Sequence, residues 1–248
     1  MQASTEFCFD TETTGLVAFD ADIVGLALSC KAHEGYYIPF PREFEAAKAL
    51  FARFSDLFSG KNLKVAQNLK YDISVLKRYG IAVSGPCFDT MLAHYLIEPD
   101  MRHNMDLLAE SYLHYKPISI ETLIGKKGAA QLSMAVVDVE KVKEYAVEDA
   151  DITLQLKQKL EPELHNRNVY NVFEKLELPL IAVLSDIEQE GVRVDTDFLK
   201  DYSKVLNQQS LEIQSRIFEL AGEEFNIASP MQVGKILFDK LKLIDKPK

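Results

Sequence analysis

The chain has 248 residues, 47% hydrophobic and 27% charged, a globular balance with enough length for one large domain or two. No apolar run approaches the ~18 residues of a membrane span and the N-terminus lacks a signal-peptide profile, while three scattered cysteines without a CxxC read as small buried residues of a reducing cytoplasm. The five histidines form no HxxxH pair, which argues against a histidine-based zinc site, and a net charge of −10 argues against a chain that wraps nucleic acid by itself, unless part of that acid is gathered at bound cations.

In chain order, Phe7–Asp10 reads as a strand, followed by "DIVGLALSC" (Asp22–Cys30) and "GYYIPF" (Gly35–Phe40) joined by a short polar turn, the pattern of an antiparallel meander. Apolar residues at helical spacing predict a helix over Glu43–Phe58. Lys64–Asn68 predicts a fourth strand, with Asn68 as helix N-cap, and the next helix ends at Gly80; Pro86–Thr90 predicts a short fifth strand. Beyond it the chain reads as almost wholly helical, with a long helix over Asp138–His165 and a polar break at Asn166–Asn168. After "EGVRVDTDF" comes a long amphipathic helix with Phe198, Tyr202, Val205, Leu206, Ile213, Ile217 and Leu220 on one stripe, then Ser229 as N-cap of a last helix with Pro230 at its first position. Strands early and helices late make an α/β protein: a mixed β-sheet flanked by helices, followed by a helical segment.

Three acidic patterns stand out. Asp10 and Glu12 lie two apart, so in a strand they project to one face, where two carboxylates repel each other unless a cation lies between them. Asn68 and Asp72 lie at a strand-to-helix junction, where ligands of α/β sheets collect. Tyr145 and Asp149 share a face of the long helix. Alone, these patterns also fit a solvated strand end, a helix N-cap and an acidic helix face.

Their order, Asp-x-Glu, Asn-x3-Asp, Tyr-x3-Asp, resembles the three exonuclease motifs of the DnaQ-like 3′–5′ exonucleases in the variant with tyrosine in the third. "FDTETTGL", "QNLKYD", "MRHNMDLLAE" and "YAVEDADITLQL" are similar to the proofreading domain of the bacterial DNA polymerase I family, and "EGVRVD" with "FNIASPMQVGKILFDKL" to the opening of that family's polymerase domain, at the base of its thumb. The resemblance implies a ribonuclease H-like sheet, with residues 1–166 as the exonuclease domain and 167–248 as the thumb-base part of a truncated polymerase domain, its polymerase active site beyond the fragment.

The resemblance further implies metal-dependent hydrolysis of phosphodiester bonds at DNA 3′ ends, releasing nucleoside 5′-monophosphates. Two divalent cations, Mg²⁺ or alternatively Mn²⁺ or Zn²⁺, about 3.5–4 Å apart in such sites, would be held by Asp10, Glu12, Asp72 and Asp149, with Asp10 bridging both. Tyr145 would orient the attacking water. Leu16, Gln67, Asn68, Lys70 and Arg102 would lie along the last nucleotides of a single strand, Leu16 wedging against the terminal base and Lys70 and Arg102 meeting phosphates; core packing for Leu16 and a solvated helix face for Lys70 stand as the alternatives. Ile120 stands where the family usually has Phe. The basic loop Gly125–Gln131 lacks P-loop spacing and reads as solvated. Implied partners are a single-stranded DNA 3′ end and the remainder of a polymerase chain, with no membrane, in a monomer of the bacterial cytoplasm. Two other readings remain: a catalytically silent module that braces the polymerase, and a ribonuclease D-like RNA exonuclease, which would carry a helical RNA-binding domain after the catalytic one.

Overall fold

A computed structural model describes residues 4–244. Its five strands are β1 (Glu6–Thr13), β2 (Ile23–Lys31), β3 (Glu34–Pro39), β4 (Leu63–Ala66) and β5 (Cys87–Asp89), in the order β3-β2-β1-β4-β5. The three leading strands form the expected antiparallel meander, while β4 and β5 join β1 in parallel. This is the mixed sheet flanked by helices that the sequence implies. β1 runs three residues further than expected and carries the acids inside the strand, with a bulge between Glu12 and Thr13.

The pleat of β1 sorts its side chains onto two helical layers. Phe7 and Phe9 enter a core shared with α1 (Phe44–Ala52), α2 (Ser55–Ser59) and α3 (Leu69–Arg78), where their rings pack on Phe58. Cys8 points the other way, into a core with Ala150, Leu154 and Leu160 of α7 (Val139–Asn166) and Ala93 and Ile97 of α4 (Thr90–Ile97). The same alternation carries Asp10 and Glu12 towards the α7 side and Thr11 towards α3.

The expected single helix over Glu43–Phe58 is two helices, because Arg53 and Phe54 close α1 with backbone bonds to Leu50 and Phe51 before α2 begins. Asn68 is not a side-chain cap. It takes a left-handed backbone, φ 65°, and makes no capping bond. Asp89, from the end of β5, does that work for two helices at once. Its Oδ2 accepts from Leu69 N at 2.8 Å and its Oδ1 from Asn68 N at 3.4 Å, and Oδ1 also accepts from Met91 N at 2.8 Å and Leu92 N at 3.1 Å at the start of α4.

The segment after α4 holds α5 (Met105–Leu108), continued by a wide turn over Ala109–Leu113, and α6 (Glu121–Ile124). Beyond α7, a short α8 (Tyr170–Val172) leads through another wide turn into α9 (Leu178–Glu190). The first compact unit ends at Gly191, later than the polar break at Asn166–Asn168. Phe173 packs its ring on Phe88 and Ile181 joins the α3 core, so both helices after the break complete this unit.

The second unit, from Val192 on, contains α10 (Thr196–Ala221) and α11 (Pro230–Gly234) with a wide turn over Lys235–Lys240. Ser229 caps α11 with Pro230 at its start, as the sequence implies. Phe198, Tyr202, Val205, Leu206, Ile213 and Leu220 of the α10 stripe are exposed. The chain ends named in the expected domains, residues 1–3 and 245–248, lie outside the described residues. Among the described residues no helix is long and apolar enough to cross a membrane.

Asp89→Ala leaves four backbone N–H groups short of a charged acceptor, so it should lower unfolding free energy by about 3 kcal/mol. Urea unfolding measures this; a loss below about 1 kcal/mol would mean that Asp89 does not hold the two helix starts together.

Candidate active site

At the end of β1 the alternation described above brings carboxylates from three elements to one cleft. Asp10 and Glu12 face Asp149 of α7, and ligand oxygens of all three lie within 4.8 Å of one another. Asp72 enters from α3 and lines the same cleft, of about 520 Å³. Its Oδ1 accepts from Thr11 N at 3.2 Å and Thr11 Oγ1 at 2.6 Å, so the residue between the two strand acids fixes the third acid. Tyr145, one turn before Asp149, completes the wall.

Glu12, Asp72 and Asp149 are buried, and Asp10 is half-buried. Burial raises all four acids, and repulsion from Asp10 adds to it at the other three. Asp10 is pushed up to about 6 by burial. Glu12 stands well above the usual carboxylate range through burial, then Asp10, Asp149 and Asp72. Asp72 is raised by burial and Asp10 against the pull of its two Thr11 bonds, and Asp149 by burial and Asp10. Burial, Asp149 and Glu12 hold the Tyr145 phenol far above its ordinary value, so its proton stays on the hydroxyl as a donor.

Two buried oxygens, Glu12 Oε1 and Asp149 Oδ1, have no hydrogen-bond partner among the described residues. Buried acceptors are almost always satisfied, and these two belong to carboxylates crowded by like charge. Oxygen donors in that state fit a hard divalent cation such as Mg²⁺. The donor set therefore suits the metal that the motifs imply.

The residues expected along the strand divide into four groups. Leu16 is 87% exposed on the turn after β1, which excludes core packing, and it borders both the acidic cleft and a neighbouring cavity of about 480 Å³. Gln67 lines the acidic cleft, whereas Asn68 and Lys70 line the neighbouring cavity, where Lys70 pairs with Glu188 of α9. Arg102 is exposed on the loop after α4, lines neither cavity and has no ion-pair partner among the described residues. Ile120 lines the acidic cleft, and so do Lys127 and Gln131 of the basic loop, for which contact with the strand stood as the alternative to a solvated loop.

The family model for a 3′–5′ exonuclease matches residues 1–165. The chain belongs to that 3′–5′ exonuclease family. Among curated proteins it is similar to DNA polymerase I of Pseudomonas aeruginosa, 39% identical over 95% of this chain, and of Rhizobium leguminosarum, 37% identical over 95%. It spans 27% and 25% of the length of these relatives. Among solved structures, the POL domain of Pol1 from M. smegmatis in complex with DNA primer-template and dNTP superposes with a TM-score of 0.81 at 23% identity, covering 99% of this chain and 39% of that one. Brucella melitensis NrnC with bound Mg²⁺ gives 0.62 at 19% identity, covering 76% of this chain and 87% of that one. Both likenesses are of fold.

Around the exonuclease motifs the structure adds supports that their spacing does not reveal. Tyr71 donates from its hydroxyl to the Gly15 carbonyl at 2.6 Å and so pins the Leu16 turn. Glu148, beside Asp149, accepts from Tyr115 Oη and from Ile118 N, both at 2.6 Å, anchoring the segment that leads to Ile120. Adjacency to a motif acid is the sequence signal for Thr11, Tyr71 and Glu148; their distant partners carry none.

Raised carboxylates mean that the folded chain binds protons here that the unfolded chain releases at about pH 4. Their stabilising contribution is complete below that pH and fades as pH rises through about 6, where Asp10 titrates, and beyond. In chelator the thermal midpoint should fall between about pH 5 and pH 8, Asp10→Asn should flatten the fall, and Mg²⁺ or Mn²⁺ should raise the midpoint more at the higher pH. A midpoint that climbs with pH in chelator, unchanged by Asp10→Asn, would contradict this.

Proposed function

We propose that this chain is a metal-dependent 3′–5′ exonuclease that hydrolyses the terminal phosphodiester of a single-stranded DNA 3′ end and releases nucleoside 5′-monophosphates. The observation that carries the reading is the convergence of Asp10, Glu12 and Asp149 within 4.8 Å, with two of their buried oxygens unpartnered and Asp72 on the same cleft. It is supported by the exonuclease family match, by the DNA polymerase I relatives and by the Mg²⁺ bound in the NrnC neighbour.

Asp10, Glu12 and Asp149 would hold one cation, and Asp10 with Asp72 a second. Divalent cations there supply charge neutralisation at the phosphoryl oxygens and a lowered pKa for the attacking water. The protein's own groups do the positioning. Tyr145 donates from its hydroxyl and orients the water on the α7 side without changing its own charge. Thr11 locks the Asp72 carboxylate, so this acid keeps one geometry as charge develops on the departing 3′-oxygen. Leu16, exposed at the mouth of the cleft, presents an apolar face to the terminal base, and Gln67, Asn68, Lys70 and Arg102 bind the strand behind it.

The natural setting of this activity is the bacterial cytoplasm, with the rest of a polymerase chain as partner and the isolated chain a monomer. We assign residues 1–166 to the exonuclease domain and 167–248 to the thumb base of the polymerase part, of which the stretch up to Gly191 packs within the first compact unit. A silent bracing module would have no use for four acids brought together on one cleft with raised pKa values, and similarity to DNA polymerase I over 95% of the chain weighs against an RNA-trimming relative.

With Mg²⁺ or Mn²⁺ the purified chain should shorten a 5′-labelled single-stranded oligonucleotide from its 3′ end, and chelator should stop it. Asp149→Ala should lower kcat by at least about 10²-fold while leaving the thermal midpoint unchanged or raised, because it relieves repulsion. Tyr145→Phe should lower kcat with little change in KM. A wild-type chain as inactive as Asp149→Ala, or a large fall in that variant's midpoint, would overturn the catalytic assignment in favour of a structural role.

A further inference from the structure

His94 is 3% exposed, and nothing in the proposed chemistry uses it. It lies in the last turn of α4, and its Nδ1 is 2.7 Å from Nδ1 of His103, with the two rings edge to face. A contact between two ring nitrogens at that distance is a hydrogen bond only if one carries a proton and the other does not. The pair therefore holds one proton between the two Nδ1 atoms. A further proton on the outer Nε2 of the donor ring leaves that bond in place, and two donors oppose each other only when both rings are cationic.

His103 leads into the acidic cleft through its backbone. Its carbonyl accepts from Gln67 Nε2 at 2.7 Å, while Gln67 Oε1 accepts from Thr90 Oγ1. Gln67 is thus clamped at both ends of its amide, and it lines the cleft with the carboxylates. Arg102 precedes His103 on the same loop. One hydrogen bond between imidazoles fixes the loop that orients one strand-binding residue and carries another.

We propose that His94 and His103 are positioning residues that dock the Arg102 loop and the Gln67 amide along the strand path through the proton shared between their Nδ1 atoms, and that protonation of both rings releases them. The inference rests on the exonuclease reading for the identity of the strand.

The charged and titratable groups around the pair are few. Glu98 at the end of α4 is ion-paired with Arg167, which follows α7, at 2.6 Å, so the two largely offset each other. Tyr112 stacks edge-on against His94, and Tyr95 edge-on against His103. Burial first, and His103 second, hold the His94 imidazole below its ordinary pKa, against the opposing pull of Glu98. Protonation of His94 is therefore disfavoured while the pair is docked, and acid works against the docked arrangement.

The test measures binding apart from catalysis. A fluorescein-labelled oligothymidylate is titrated with the full chain in Ca²⁺, which fills oxygen sites, and the Kd is followed by anisotropy from about pH 7.5 to about pH 5.5. Asp10 titrates in the same range in every protein, so the readout is the difference between them. His94→Asn and His103→Asn, which keep a polar side chain without the imidazole bond, should each bind about fivefold more weakly than the wild type at about pH 7.5, the size of one neutral hydrogen bond. The gap should close towards about pH 5.5, and both variants should still unfold cooperatively at a midpoint near the wild type's. The weaker Kd of each variant should be matched by a raised KM for the oligonucleotide in Mg²⁺, with kcat following the same pH curve in all three proteins. Identical pH profiles of Kd in wild type and both variants would overturn the proposal. If the wild type binds with the expected pH profile but hydrolyses nothing in Mg²⁺, the exonuclease reading fails and the positioning role stands.

Discussion

The burial of several carboxylates in one cleft, sharpened by the repulsion from Asp10, governs this molecule. Asp10, Glu12, Asp72 and Asp149 come from one strand and two helices, and the fold brings them to the end of the central strand, where three of the four are buried. Burial raises the proton affinity of all four, and Asp10 raises it further at the other three, so compensating positive charge is favoured there. Hydrophobic packing behind them supplies the restraint. Phe7 and Phe9 anchor β1 on one side and Cys8 on the other, so the strand cannot retreat to relieve the acids. The same burial that makes the site unfavourable for uncompensated carboxylates suits its oxygens to a compact divalent cation.

Around this centre, small polar devices turn approximate placement into fixed geometry. Thr11, facing away from its two acidic neighbours, holds Asp72 with both its backbone and its hydroxyl. Asp89 ties the starts of α3 and α4 to the strand ends, and so sets where α3 delivers Asp72. Glu148 secures the segment carrying Ile120, and Tyr71 the turn carrying Leu16. α9 lies beyond the residues matched by the family model, yet Ser185, completely buried, bonds Ser74 of α3 at 2.9 Å, and Glu188 pairs with Lys70. The wall of the cavity beside the acidic cleft thus includes a helix that follows the exonuclease motifs.

Much of this was legible in the sequence, for chemical reasons. Two acids leaving an apolar strand at i and i+2 are hard to explain by packing, and the alternation that places them together is a property of any strand. The long α7 announces itself by periodicity, with Tyr145 and Asp149 one turn apart. Local capping was less legible. Asn68 has the composition of an N-cap, but Asp89, 21 residues later, performs the capping and leaves Asn68 free to adopt a left-handed backbone. The break between α1 and α2 is hidden because the phenylalanine pattern continues through it. The extent of the first unit is hidden too. Phe173 and Ile181 sit after a polar break that looks like a boundary, and only their tertiary partners reveal that they belong before it. His94 and His103, nine residues apart and on different elements, have no spacing that a motif would register.

The claim on which everything else depends is that the carboxylates converge to hold cations rather than protons at working pH. Anomalous X-ray diffraction from crystals soaked in Mn²⁺ near pH 8 addresses it directly. One peak among Asp10, Glu12 and Asp149 and a second beside Asp10 and Asp72 would be the expected result, with Glu12 Oε1 and Asp149 Oδ1 now ligated. No peak, with the acids paired to each other through shared protons, would contradict it.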